Sequence, residues 1–291
     1  MRKQFVKSLK HILHSDNNST LLLGDIGVFA FREELKNIPN RVFNIGILEQ
    51  ATIGIAAGMA KTKLIPFIHT IAPFLVERAY EQLKIDFGYQ NLNGNFISIG
   101  ASYDYAALGC THHCPGDISI LSNIPNMQII CPGTSEEFDY LIQNNYNNGS
   151  PSYYRLSEYE NLENHILKLG EGKIIKSGSK ATVLCFGNIL STALKALSDL
   201  DVTILYYNSV QPFDINLLIN NLNKKIIIIE PFYEGSVNYQ LAELIKTTPL
   251  QILNIGIQRK FLYNYGTKEE HDINLNLDEA GIRNKITTWI Q

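Results

Sequence analysis

A single ionisable residue, Glu49, stands in an otherwise apolar and small-residue stretch over residues 45–60. The pattern predicts a helix over about 48–61 that is apolar on every face and is therefore buried throughout. A carboxylate there loses solvation, which favours its neutral form unless a cation or a hydrogen-bond donor compensates. Such a group can share a proton with a ligand. The plainer interpretation is a first-turn glutamate that interacts with free N–H groups and the helix dipole.

Cysteine and histidine side chains crowd into a second short segment, which reads CTHHC over residues 110–114. Soft ligands of this kind can bind zinc. The spacing is not that of a known zinc motif, however, and four ligands so close in sequence rarely complete a tetrahedron. We therefore predict no metal site in this segment.

Three common motifs for phosphate binding or nucleophilic catalysis do not occur in the sequence. There is no G-x-G-x-x-G after a predicted strand, no G-x-x-x-x-G-K-[ST] and no G-x-S-x-G. Gly187 lies between a predicted strand and a predicted helix, where a helix N-terminus can bind phosphate. A plain tight turn is the preferred interpretation of this glycine.

Composition and charge exclude several classes of protein. Lys and Arg number 25 against 28 Asp and Glu, so no basic excess is available to neutralise nucleic-acid phosphates. The strongest apolar run, 226–229, is too short to span a bilayer. Residues 1–13 have the spacing of an amphipathic helix, not of a signal peptide. Four cysteines are too few for a disulfide framework and fit a reducing compartment. We expect a soluble, cytoplasmic protein with no nucleic-acid or membrane partner.

The elements that must position these residues alternate between strand and helix. Pro132-Gly133, with Thr134 and Glu137 three positions apart, marks the start of one helix by a capping-box pattern. Buried apolar runs predict strands at 20–23, 41–45, 64–69, 95–100, 127–131, 182–186, 202–207 and 225–229. Helical patterns cover 1–13, 48–61, 74–89, 191–200, 216–221 and 237–246.

The alternation predicts an α/β fold with parallel sheets covered by helices on both faces. A length of 291 residues favours two domains. A polar, glycine-containing stretch over 157–180 marks the boundary. We therefore predict two three-layer α/β/α domains, at 1–160 and 172–291.

Several ordered motifs closely resemble those of the transketolase family, and together they span essentially the whole chain. This family includes transketolases and 1-deoxyxylulose-5-phosphate synthases, and it depends on thiamine diphosphate. Several motifs in one order at consistent spacing are more specific than any one of them. The motifs are RVFNIGILEQ at 41–50, GIAAG at 54–58, PF at 66–67, FLVERAYEQ at 74–82, THH at 111–113, DI at 117–118, IPNM at 124–127, YRL at 154–156 and PFD at 212–214, with Gly187 and Glu230 in the expected places.

The resemblance implies that the first domain binds the pyrimidine ring of thiamine diphosphate and that the second is the transketolase-type C-terminal domain. Glu49 matches the glutamate that hydrogen-bonds N1′ of the aminopyrimidine and favours the imino tautomer that removes the thiazolium C2 proton. Phe74 matches the aromatic residue that stacks on the pyrimidine, and Ile47 is implied in cofactor binding. Asp25 falls where the family has an acidic residue close to the cofactor, although a helix N-cap is equally open.

The resemblance also implies substrate contacts. His112 matches a histidine that contacts substrate oxygens and moves protons, a role for which neighbouring His113 competes. Arg78 and Arg155 align with residues that face substrate, and Arg155 could hold a sugar phosphate through two hydrogen bonds. The alternative for each arginine is a surface ion pair. Tyr103 stands in the place of a family histidine, in a shorter loop that lacks the usual D-G-P, so the phosphorylation state of the sugar stays open.

The diphosphate-binding half of the family, with its G-D-G…N run for Mg²⁺ and phosphates, has no counterpart in this sequence. A diphosphate needs a cation and backbone donors, so the resemblance implies a separate N-terminal subunit that binds most of the Mg²⁺. The expected protein is the C-terminal subunit of a split transketolase that transfers a two-carbon ketol unit between sugars or sugar phosphates. It is expected as a homodimer within an α2β2 complex.

Two other functions stay open. The β-subunit of a 2-oxoacid dehydrogenase E1 component has the same plan and an equivalent glutamate, but its histidine region usually reads H-S-Q-S. A non-catalytic regulatory or scaffold subunit would keep the fold without the chemistry. Retention of Glu49, Phe74 and His112 argues against that possibility, because a buried carboxylate without a ligand lowers stability.

Overall fold

Two β-sheets, each dominated by parallel strands, organise residues 1–290, which the computed structural model describes. This arrangement confirms the predicted α/β fold class. The strands in chain order are β1 (Ser19–Leu23), β2 (Val42–Asn44), β3 (Ile65–Ile71), β4 (Gly94–Ile99), β5 (Gln128–Ile130), β6 (Pro151–Arg155), β7 (Gly172–Lys176), β8 (Thr182–Phe186), β9 (Thr203–Tyr207), β10 (Ser209–Gln211), β11 (Lys225–Tyr233) and β12 (Gln251–Ile257).

The first sheet has the order β10-β5-β6-β4-β3-β1-β2, and the second has the order β12-β11-β8-β9-β7. Every pairing is parallel except at one edge of each sheet, where β10 pairs with β5 and β7 pairs with β9 in antiparallel fashion. β10 comes from the predicted second domain and yet completes the first sheet. The domain boundaries at 160 and 172 stay a prediction.

Helices lie between the strands. They are α1 (Arg2–Ser15), α2 (Arg32–Asn37), α3 (Glu49–Lys61), α4 (Ala72–Val76), α5 (Tyr80–Gln82), α6 (Asp117–Leu121), α7 (Ser135–Asn145), α8 (Leu190–Ala196), α9 (Ile215–Asn220), α10 (Ala242–Thr247), α11 (Lys268–Leu275) and α12 (Glu279–Ile290). A π-helical segment, Leu83–Tyr89, follows α5. No helix among residues 1–290 has the length and apolar character needed to cross a membrane.

Strand side chains alternate between two cores, which explains why the buried strands are continuously apolar. Leu21 and Leu23 of β1 pack with Phe5 of α1 and Phe138 of α7 on one face of the first sheet. Leu22 packs on the opposite face in a cluster that also contains residues of α3, α4 and α6. The same cluster continues onto one face of the second sheet, so the two sheets share apolar packing.

Three local expectations need correction. The predicted helix over 74–89 is broken into α4, α5 and the π-helical segment. The side chain of Thr134 does accept from the N–H of Glu137, but the Glu137 carboxylate does not complete the capping box. Instead it accepts hydrogen bonds from the Gly133 and His165 N–H groups and from the Tyr206 hydroxyl. Helix α3 is buried along one face only, so the prediction that it is buried throughout is wrong.

Candidate active site

The candidate site lies beyond the carboxyl ends of four neighbouring parallel strands, where open α/β sheets generally bind ligands. β2, β1, β3 and β4 are adjacent in that order. The segments that follow them carry four of the residues singled out in the sequence. Asp25 follows β1, Glu49 follows β2, Phe74 follows β3 and His112 follows β4.

Glu49 is the first residue of α3, and only 3% of its surface is exposed. Its Oε2 accepts a hydrogen bond of 2.6 Å from the Arg78 guanidinium, which is the compensating cation that a buried carboxylate requires. Its Oε1 is buried and accepts no hydrogen bond from residues 1–290. An unpaired buried carboxylate oxygen is costly in free energy, so Oε1 is suited to accept a donor from a ligand.

Phe74 and Arg78 lie four residues apart and contact each other. The Arg78 guanidinium carbon is 4.2 Å from the centre of the Phe74 ring, a cation–π arrangement. The Arg78 side chain keeps 38% of its surface exposed. Arg78, predicted to face substrate, therefore holds Glu49 and Phe74 together in this structure.

His112 completes the cluster at the side of Phe74. It ends a 3₁₀ turn, Cys110–His112, and its ring lies edge-to-face with the Phe74 ring at a centroid distance of 5.4 Å. Its Nδ1 lies 2.9 Å from the Thr111 hydroxyl. The structure thus brings together Glu49, Arg78, Phe74 and His112.

His113 points to a different part of the molecule. Its buried ring packs against the ring of His271 on α11, at a centroid distance of 5.5 Å. Burial, and then the neighbouring His271, lower the pKa of His113 below its ordinary value. Of the two histidines, the structure therefore places His112 and not His113 beside Phe74.

Tyr103 and Arg155, predicted to contact substrate, are buried and pair with other side chains, and their contact with substrate stays a prediction. The Tyr103 hydroxyl donates to Asp272 Oδ1 at 2.6 Å, and burial together with this carboxylate raises its pKa well above the ordinary value. Arg155 donates through Nε to Asp117 Oδ2 at 2.7 Å, and its NH2 group donates to Ser102 Oγ at 2.5 Å. These hydrogen bonds fix the orientation of both side chains, which line one small cavity together with Ser102 and Asp104.

Asp25 and Ile47 are exposed residues in the segments that follow β1 and β2. Asp25 has a left-handed backbone with φ 64°, and its backbone N–H and Oδ1 both pair with the Asn44 side-chain amide at 3.1 Å. Helix α2 begins at Arg32, so Asp25 is not its N-cap. Ile47 is 63% exposed. Neither residue contacts the Glu49 side chain among residues 1–290 through a hydrogen bond or an ion pair.

Sequence reasoning missed three residues beside the site. Asn44 fixes Asp25, as described above. Tyr105 lies edge-to-face with His112 at 6.4 Å between ring centres. Glu77 accepts a 3.7 Å hydrogen bond from Cys114 Sγ, and burial raises the pKa of this carboxyl. The position of Asn44 at the end of β2 was a signal, whereas nothing in the sequence linked Glu77 to Cys114.

The CTHHC segment spreads its side chains apart. Cys114 is buried against Glu77, His113 faces His271, and Cys110 is exposed. Within residues 1–290, no three His, Cys, Asp or Glu side chains are placed to hold a metal ion together.

Comparisons with known proteins point to one family. A sequence profile described as "Transketolase, pyrimidine binding domain" matches residues 1–161. An uncharacterized 33.6 kDa protein in the fasciation locus of Rhodococcoides fascians is 33% identical over 98% of this chain and 93% of that protein. One of the subunits of an apulose-4-phosphate transketolase from Actinobacillus succinogenes is 31% identical over 77% of this chain and 76% of that subunit.

Longer proteins match as well. A 1-deoxy-D-xylulose-5-phosphate synthase from Psychromonas ingrahamii is 31% identical over 87% of this chain, which spans 42% of the synthase.

Two solved structures share the fold. A split-gene transketolase, solved as an inactive β4 tetramer, has a TM-score of 0.82 and 23% sequence identity to this chain. The match covers 99% of this chain and 96% of the chain in that structure. The transketolase of Campylobacter jejuni has a TM-score of 0.79 and 16% sequence identity. That match covers 98% of this chain and 46% of the transketolase chain.

Proposed function

This chain belongs to the transketolase family, and from that premise we propose that it is the C-terminal subunit of a two-subunit, thiamine-diphosphate-dependent enzyme. The proposed reaction is transfer of a two-carbon ketol unit between sugars or sugar phosphates. The observation that carries the proposal is the buried, unpaired Oε1 of Glu49, in a cluster where Arg78 contacts both Glu49 and the ring of Phe74.

The residues at this site fit the aminopyrimidine of thiamine diphosphate. Glu49 Oε1 would accept a hydrogen bond from the ring, and Phe74 would pack against its face. When bound, the cofactor supplies a nucleophilic carbon that can take up and release a carbonyl fragment. Glu49 would share a proton with the ring nitrogen, in a site whose low dielectric strengthens that contact. His112 would hold or move a proton at a substrate oxygen.

A partner subunit is part of the proposal. The sequence lacks the G-D-G…N motif with which the family binds Mg²⁺ and diphosphate. The chain spans 42% of the length of a 1-deoxy-D-xylulose-5-phosphate synthase. We propose that a separate N-terminal subunit provides this half of the site and most of the Mg²⁺ ligands. The relative from Actinobacillus succinogenes, which is named as one subunit of a transketolase, supports this division.

An exposed apolar surface beside Glu49 supports assembly with further chains. Ile47 and Leu48 are 63% and 59% exposed, and Ile55 on the outer face of α3 is 43% exposed. Gly54 and Gly58 lie on the same face of α3 and allow a neighbouring backbone to approach closely. We propose that α3 packs against a second copy of this chain within an α2β2 complex. A cytoplasmic location belongs to the same proposal and rests on the free thiols expected from the sequence.

Reconstitution tests the proposed function. The chain would be purified alone and together with an N-terminal subunit that carries the G-D-G…N run, and each would be assayed with thiamine diphosphate and Mg²⁺. We expect ketol transfer from ketose donors only when both subunits are present. Turnover by the chain alone contradicts the split site, and turnover of 2-oxoacids in place of ketoses assigns the complex to the dehydrogenase class.

A further inference from the structure

The Arg78 guanidinium contacts the same two side chains to which the proposed function assigns the aminopyrimidine. It donates to Glu49 Oε2 at 2.6 Å, which leaves Oε1 unpaired, and it lies over the Phe74 ring at 4.2 Å. We propose that Arg78 occupies the aminopyrimidine position in the cofactor-free chain and that the cofactor displaces it. This inference rests on the proposed function and adds a step that comes before the reaction.

Geometry favours displacement over simultaneous binding. A guanidinium and an aminopyrimidine are both flat, and both require an aromatic face together with a carboxylate acceptor. Phe74 already has Arg78 over its ring and His112 packed edge-to-face against it. An aminopyrimidine that stacks on the ring face now covered by Arg78 therefore cannot bind while Arg78 stays in place.

The two partners differ in their freedom to move. Glu49 is 3% exposed and fixed at the start of α3, whereas Arg78 is 38% exposed at the end of a long side chain. Among residues 1–290, Glu49 is the one carboxylate that forms an ion pair with Arg78. The guanidinium can therefore turn outward without breaking any other ion pair. Once released from Glu49, the guanidinium is available to an anionic group of the substrate, so cofactor would bind before substrate.

Cofactor binding to the reconstituted two-subunit complex tests the proposal without measuring turnover. Isothermal titration with thiamine diphosphate and Mg²⁺ would compare wild type with Arg78→Met, which removes the charge and the donors but keeps an unbranched, flexible side chain. Because the variant has no ion pair to break, we expect its Kd to be about tenfold lower, equivalent to about 1.4 kcal/mol. Without cofactor, the melting temperature of the variant should fall, since buried Glu49 loses its cation.

Two further variants make the test specific. Arg32→Met is the matched control, because Arg32 lies 4.4 Å over exposed Phe29 and 3.7 Å from Glu33, away from α3. It should leave the Kd unchanged. If Arg78→Met does not fold, Arg78→Lys keeps the charge and loses the flat group, and its Kd should fall by a smaller factor.

The outcomes separate the inference from the function on which it rests. Wild-type complex that binds the cofactor, with Arg78→Met binding equally well or more weakly, overturns the displacement and leaves the proposed function standing. Absence of cofactor binding by wild type and variants alike overturns the proposed function and the displacement together.

Discussion

Arg155 and Asp117 form an ion pair at 2.7 Å in which the two side chains are 2% and 0% exposed. The pair joins the end of β6 to the start of α6. Tyr153 adds a 2.9 Å hydrogen bond to the same Asp117 oxygen, and Arg155 also donates to the backbone oxygen of Pro231 on β11. The arginine therefore links the first sheet to the second.

Replacing this arginine should destabilise the protein severely. Arg155→Met leaves Asp117 buried without its cation, which costs about 3–5 kcal/mol of unfolding free energy. Urea unfolding of the purified chain measures the loss. The double variant Arg155→Met/Asp117→Leu should recover much of it, because no buried charge remains. An unchanged midpoint in Arg155→Met, with a raised KM for sugar phosphate, would contradict the structural role and support the substrate contact predicted from the sequence.

Glu230 should make stability depend on pH. It is fully buried, its Oε1 accepts a hydrogen bond from the Gly235 N–H at 2.5 Å, and burial raises its pKa from 4.5 to about 8. Between these two values the folded chain holds a proton that the unfolded chain releases. Stability should therefore fall as the pH rises from 4.5 to 8, by up to about 1.4 kcal/mol per pH unit.

Glu230→Gln tests this dependence, because glutamine keeps the acceptor and cannot ionise. Urea unfolding at about pH 5.5 and at pH 8 should show a smaller loss of stability in the variant than in wild type. Glu243→Gln on exposed α10 is the control, and its stability should equal that of wild type at both pH values. An equal loss in Glu230→Gln and wild type would show that another group titrates.

The sequence predicted the parts of the fold that depend on local patterns. The strand at 182–186 was predicted to the residue, because parallel strands covered on both faces are continuously apolar. The start of α3 was placed within one residue of Glu49. β10 was missed because three residues carry too weak a pattern, and it exists only through antiparallel pairing with distant β5.

The site was predictable in its residue types and not in its pairings. Arg78 lies 29 positions from Glu49, and Arg155 lies 38 positions from Asp117, so nothing local in the sequence links either cation to its carboxylate. A run of small residues likewise predicts close packing but does not identify the surface that packs against it. In α3 that run leaves one face exposed, so burial throughout the helix was the wrong inference.

Glu49→Gln should stop the chemistry and leave the complex assembled. Glutamine has nearly the same shape but cannot share a proton with a ring nitrogen, so exchange of the cofactor C2 proton should slow by about 10²- to 10⁴-fold. Hydrogen–deuterium exchange followed by NMR in the reconstituted complex measures this rate. Glu81→Gln, on an exposed carboxylate of α5, is the control. Exchange at the wild-type rate in Glu49→Gln would remove Glu49 from the mechanism.

The outer face of α3 should control self-association. A side chain added at Gly58 meets nothing within 4 Å, so Gly58→Leu leaves the chain folded and should stabilise the helix by roughly 0.5–1 kcal/mol. In an assembly whose helices pack closely through this face, the same leucine holds the partner away. Sedimentation should then show dissociation at concentrations where wild type is associated. Gly58→Ala adds one methyl group and should still associate. If Gly58→Leu associates as tightly as wild type, α3 does not form the interface, and the exposed Ile47 and Leu48 must contact a different partner.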